Sequence, residues 1–357
     1  MAPSSALGSE RNHADGFVYV MSNASDANSV LVYEREENGT LIQTEEVLTQ
    51  GKGSGGSKDP LGSQGALALT PNYLVAVNAG SNNISLMTFN QDGVQFESKA
   101  SSHGTFPISV TTFGDLVYVV NSGATPNIAG FRVTADGKLR FIQGSNHALP
   151  GGVGSGPGEI SFTPDGNLLI VTEKNTNMID VFGLNDDGSI ANVVSVASVA
   201  HTPFGFAFGR RGTLLISETN GTPTGSTISS YMFGADEAVN GVLQPVTKAL
   251  PIQQRGTCWV FVTRNGRYAF TTNTASDTIA SFRVANDGSL TLIANNAGTT
   301  PAGSLPTDMA LSADGRFLYV VGALNGSLDI FSVDKGMLNF VTTVAGIPVS
   351  AQGIAAR

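Results

Sequence analysis

Only one of the 357 residues is cysteine, Cys258, and only one is tryptophan, Trp259. A single thiol forbids an intrachain disulfide, so the fold must be held by its core. That suits a reducing compartment, and equally a secreted chain large enough to need no cross-links. Charge is scarce, at 13% Asp, Glu, Lys and Arg, and unbalanced, with a net of −9. Coiled coils and long-helix bundles need far more Glu, Lys and Arg. No run of Lys and Arg suggests nucleic acid, and an anionic membrane surface would repel the chain. Nothing approaches the roughly 18 consecutive apolar residues of a membrane span. Residues 1–16 are polar and lack the apolar stretch of a signal peptide. The expectation is a soluble monomer, cytoplasmic or secreted after loss of a leader. No Walker A, HExxH, CxxC, GxSxG or EF-hand string occurs, and no His/Cys spacing suits zinc. Gly51 to Gly56 fits GxGxxG by letter but opens no helix, which excludes a dinucleotide site. Neither a cofactor nor a metal is expected.

What the chain has is glycine, 43 residues, and a repeat. A short apolar run recurs seven times, starting at Phe17, Tyr73, Leu116, Leu168, Leu214, Tyr268 and Phe317, in steps of 43–56 residues. Each step holds four short strands and their turns, the size of one propeller blade. Two turn families frame the runs. One precedes them, as in Pro164-Asp-Gly166, Arg264-Asn-Gly266 and Ala313-Asp-Gly315. The other follows, at Asn38-Gly39, Asp92-Gly93, Asp136-Gly137, Asp187-Gly188, Asn240-Gly241, Asp287-Gly288 and Lys335-Gly336. Such dipeptides favour tight hairpins, with both central residues at positive φ. A further member of the first family, Ala14-Asp-Gly16, lacks a preceding strand, which the last segment, Gln352 to Arg357, can supply. The prediction is all-β: a seven-bladed propeller over residues 16–357 behind a flexible segment 1–15, closed where the tail pairs in the first blade.

Propellers bind ligands at the mouth of the central channel, where the innermost strands begin and the second strands end. Counting seven residues from each turn places Asn23, Asn78, Asn121, Glu173, Thr219, Asn273 and Gly322 at the second-strand ends. The four Asn can form a polar ring, or bridge strand ends to loops through backbone bonds. Inner strands begin near Gln64, Pro107, Glu159, Phe204, Trp259, Asp308 and Gln352. Glu159 and Glu173 flank one hairpin, so a carboxylate pair at the mouth is expected, with one member raised in pKa and able to act as general base. Lys174, Arg255, His201, Phe204 and Trp259 would line the substrate, with Gln64, Asn78, Asn121, Asn273, Asp308 and Gln352. Cys258 reads as an inert buried thiol. The Gly-rich segments 51–65 and 144–158 are expected to arch over the rim as flexible flaps.

The strings PGEISFTPDGNLLIVTEKNTNMIDVFGLNDDGSI, GTCWVFVTRNGRYAFTTNTASDTIASFRVANDGSL and LPTDMALSADGRFLYVVGALNGSLDIFSV resemble the seven-bladed lactonase propellers. That family includes 6-phosphogluconolactonases and carboxymuconate-lactonizing enzymes. The likeness runs from about Gly16 to Arg357 and implies a small-molecule lactone at the channel mouth, opened by hydrolysis or formed by the related cyclisation or isomerisation. Where the sugar-lactonase branch commonly carries Pro-Arg-His, this chain has Pro157-Gly158-Glu159. Losing that basic pair favours a neutral lactone over a phosphorylated one, or else a propeller that binds a ligand or protein without turnover.

Overall fold

The computed structural model describes residues 16–91, 93–219, 225–234 and 243–357. Seven antiparallel sheets follow one another around a ring. Blade 4 shows the plan: Pro157–Phe162, Leu168–Glu173, Met178–Leu184 and Ile190–Ala197, paired in chain order from the axis outward. Each innermost strand contacts the innermost strands on both sides, so the ring closes around an axial channel. The seam is made as expected. Ile354–Ala356 forms the inner strand of blade 1, pairing Ile354 with Val20 and Ala356 with Val18. A closed ring leaves no inner edge open to another chain.

Amino-acid pattern explains the layering. Inner and second strands are apolar on both faces because sheets pack against them from both sides. Leu168–Glu173 is buried throughout, whereas the outermost strand of blade 1, Leu41–Leu48, alternates towards solvent. In blades 3 to 7 the turn between first and second strands uses a glycine at positive φ, such as Gly166, Gly266 and Gly315. The outer hairpins differ from the expectation. Only Lys335-Gly336 places both residues at positive φ; at Asn38-Gly39, Asp136-Gly137, Asp187-Gly188 and Asp287-Gly288 the glycine alone does so. These are longer loops, a turn followed by a left-handed glycine, in which Asn or Asp caps the turn instead of adopting it. Asp92, Asn240-Gly241 and residues 1–15 lie outside the described residues. Among the described residues no helix is long and apolar enough to cross a membrane.

First-to-second-strand turns lie on one face of the ring. The loops entering each inner strand lie on the other, and that face carries the candidate site.

Candidate active site

Register decides which side chains reach the mouth. Pro157 pairs with Glu173, Pro107 with Asn121, Thr257 with Asn273 and Pro306 with Gly322. In blade 5 the partner of Pro203 is Glu218, not Thr219. The turn there is one residue shorter, so counting by sequence slips by one.

These strand-end groups face the loops around them. Asn78 donates to Asn83 Oδ1 and Ser85 Oγ, both at 2.8 Å, and accepts from Asn28 at 2.9 Å and Thr49 at 2.6 Å. Asn273 accepts from Thr257 Oγ1 at 2.6 Å and donates to Thr278 Oγ1 at 3.1 Å. Asn121 donates to the Ser102 carbonyl at 3.1 Å. All three are fully buried, so the expected ring of ligand-facing amides is instead a set of internal braces. Glu173 belongs with them. It accepts from the Gly151 N–H at 2.9 Å and from the Thr176 hydroxyl. Glu218 does the same in blade 5, accepting from Thr227 Oγ1 at 2.6 Å and Ser229 Oγ at 2.9 Å.

Glu159 faces elsewhere. A bulge between Pro157 and Ile160 turns it across to blade 5, where Oε2 accepts the Phe206 N–H at 2.7 Å. The expected Glu159/Glu173 pair is therefore not formed: one carboxylate is bonded to the neighbouring inner strand, the other to its own blade's loop. The acidic neighbour of Glu159 is Asp308, which accepts the Met309 N–H at 2.9 Å.

The Gly51–Gly65 segment is packed down in part: Gly51, Gly53, Leu61 and Ser63 are buried, Lys52 and residues 56–58 are exposed, and the chain then turns inward to Gln64. Gln64 crosses the axis from blade 2: Nε2 donates to the carbonyls of Phe206 at 3.1 Å and Val260 at 2.9 Å, and Oε1 accepts the Val260 N–H at 2.9 Å. Room for this exists only because residue 205 is glycine; a Cβ there would lie 2.2 Å from Gln64 Oε1. Trp259, 1% exposed, donates from Nε1 to the Ser63 carbonyl at 3.1 Å and lies against Phe204, ring centroids 5.0 Å apart. Gln352 is also buried here, close enough to Asp59 to hold its carboxyl down.

The descent of this segment delivers a residue that pattern reasoning missed. Asp59, half-buried, accepts the Gly62 N–H at 2.9 Å and lies beside Lys174. Lys174, also half-buried, donates to the Gly62 carbonyl, with Nζ 4.9 Å from the centre of the Phe204 ring. Of the other expected contacts, His201 is exposed, and Arg255 is exposed and turned onto the Ala275 carbonyl at 2.9 Å.

Burial dominates the electrostatics. It raises Asp59 to about 6, against the pull of Lys174 and the Gly62 and Ser63 N–H groups. It raises Asp308 to about 7, helped by the charge of Asp59, and Glu159 well above its ordinary value, helped by Asp308. Lys174 is lowered by burial, with Asp59 opposing. Cys258 is pushed up to about 12 by burial, leaving an unreactive thiol. Asp180 is raised by burial and by Glu173 beside it. A carboxyl with a raised folded-state pKa binds more protons folded than unfolded, so stability falls as pH climbs from the unfolded value through the folded one. Asp59 and Asp308 place that window between about 4 and 7. The Tm measured by calorimetry is expected to fall from about pH 5 to pH 8, and a rise would contradict these assignments.

Seven antiparallel sheets in a closed ring define a seven-bladed propeller, and buried carboxyls lie with one lysine near its axis. The family model "Lactonase, 7-bladed beta-propeller" matches residues 125–254 and 226–354, and the chain belongs to that family. It is 22% identical over 201 residues to a 6-phosphogluconolactonase of Serratia proteamaculans, a match covering 54% of this chain and 58% of that protein's length. The periplasmic gluconolactonase of Pseudomonas aeruginosa has the same fold, with a TM-score of 0.70, 17% identity and coverage of 94% and 98% of the two chains. A protein from Lactobacillus plantarum aligns with a TM-score of 0.72 at 19% identity, over 96% and 98%.

Proposed function

We propose that the chain hydrolyses a neutral lactone or cyclic ester at the channel mouth, with Asp59 as general base and Lys174 as the group that stabilises the oxyanion. The observation that carries this reading is the juxtaposition of Asp59 and Lys174, both half-buried and bridged by Gly62. A carboxylate near pKa 6 is basic enough to take a proton from water yet ionised at neutral pH. Water attacks the lactone carbonyl carbon and gives its proton to Asp59. The carbonyl oxygen becomes an oxyanion against the Lys174 ammonium. The ring C–O bond then breaks, and the proton passes from Asp59 to the departing alkoxide. Burial shifts the carboxyls of Glu159 and Asp308 towards their neutral forms, which lessens the negative charge facing the product carboxylate. Membership of the lactonase family and the relative named 6-phosphogluconolactonase support the reaction class.

Neutral substrates are favoured because Lys174 is the one cation in this cluster among the described residues and already faces Asp59. Arg255, the other cation expected at the substrate, is bonded to the Ala275 carbonyl. A panel of neutral and phosphorylated lactones, followed by acid release, tests the reading. Turnover is expected for a neutral member, and Glu173→Gln is expected to preserve kcat while lowering Tm, because Glu173 braces a loop. Absence of turnover across the panel, with ligand binding retained, would replace hydrolysis with a binding role.

A further inference from the structure

On the face opposite the mouth, blades 6 and 7 build the same turn with different charge. In blade 7, Asp314 Oδ1 accepts from Ser312 Oγ at 2.6 Å and from the Arg316 N–H at 3.0 Å, while Oδ2 pairs with Arg316 at 2.8 Å and Arg35 at 3.0 Å. In blade 6, Asn265 Oδ1 accepts from Thr263 Oγ1 at 2.8 Å and from the Arg267 N–H at 2.9 Å. Asn265 reproduces the turn without the carboxylate, so Arg267 has no counterpart of the Arg316 ion pair.

Arg267 lines a cleft of about 360 Å³ with Arg210, Arg283, Tyr268 and Asn286. None of the three arginines has an acidic partner among the described residues, where the ion pairs belong to Arg35, Arg132 and Arg316. Asp287, next to Asn286, is taken by the Ser289 N–H at 3.0 Å and hydroxyl at 2.7 Å, which with its own backbone amide hold its carboxyl low. The corresponding Asp187 of blade 4 feels Arg132. Arg210 is fixed in place: its guanidinium donates to Asn286 Oδ1 at 2.8 Å, and a Cβ at Gly266 would lie 2.2 Å from its Cγ. Three like charges around one cleft repel each other unless an anion joins them. In a chain of net charge −9 this is a local inversion of sign. Guanidinium forks match phosphate oxygens, and the volume suits a small ligand.

We propose that this cleft is a second ligand site, separate from the channel mouth, that binds a small, multiply charged phosphate anion between Arg210, Arg267 and Arg283. Calorimetric titration at fixed ionic strength with inorganic pyrophosphate, and separately with a hexose phosphate, tests it. The wild-type chain should bind at least one of them saturably, one per chain; tighter pyrophosphate binding assigns a free phosphate, tighter hexose phosphate binding a phosphate ester. Asn265→Asp should weaken binding about tenfold or more by supplying Arg267 with a carboxylate. Its turn geometry already exists in blade 7, so folding is not at risk. Arg267→Gln with Arg283→Gln should abolish binding. Lactone turnover should be unchanged in all of these variants, which separates this site from the one at the mouth. No saturable binding of either probe, or equal affinity in the wild type and the variants, would overturn the proposal.

Discussion

Lys174→Met is expected to lower kcat for lactone hydrolysis by about 10²–10³-fold, the effect of removing one oxyanion donor. The position isolates charge from packing. The lysine stem is half-buried, and its ammonium lies 4.9 Å from the centre of the Phe204 ring and donates to the Gly62 carbonyl. Methionine keeps an unbranched side chain against Phe204 but can neither donate nor carry charge. A loss confined to KM would show that Lys174 holds the ground state instead, and unchanged kinetics would remove it from the chemistry.

Asp59→Asn is expected to lower kcat by about 10²–10⁴-fold, the usual range for loss of a general base. Asparagine retains an oxygen to accept the Gly62 N–H, the bond at 2.9 Å, so the segment keeps its path into the channel. The wild-type rate should rise with pH through about 6, because the ionised carboxylate is the active form. That rise should vanish in the variant. Relieving the like charge near Asp308 should also shift the pH dependence of Tm, an effect independent of substrate.

The ring was legible because its signal is repeated. A tight turn, an apolar run and a glycine turn recur seven times, and the tail fills the strand missing at the head. Finer geometry was less so. In blade 5 the turn Arg210–Gly212 places Arg211 and Gly212 at positive φ and uses one residue fewer, which no residue-type rule reveals. That slip put Thr219 where Glu218 stands. Glu218 and Glu173 then emerge as equivalent braces, each held by hydroxyl donors and a loop N–H.

Gln64, Phe204, Trp259, Asp308 and Gln352 could be picked from the sequence because they lie at or beside inner strands, and Lys174 because it follows a second-strand end. Asp59 was not. It lies in a Gly/Ser-rich segment with no period, which pattern reasoning reads only as a flexible flap over the rim. Gln64, with Gly205 to admit it, draws that segment across the axis. The Glu159/Glu173 pair failed for a local reason: the bulge before Ile160 rotates one partner towards the next blade.

In the proposed reaction the Asp59–Lys174 pair opens a neutral lactone ring. Its most direct measurement is the pH dependence of kcat/KM for the best neutral lactone, with wild type and Asp59→Asn in parallel. The expected result is a wild-type profile climbing through about pH 6 and a flat, depressed one for the variant. Matching profiles of equal height would contradict it.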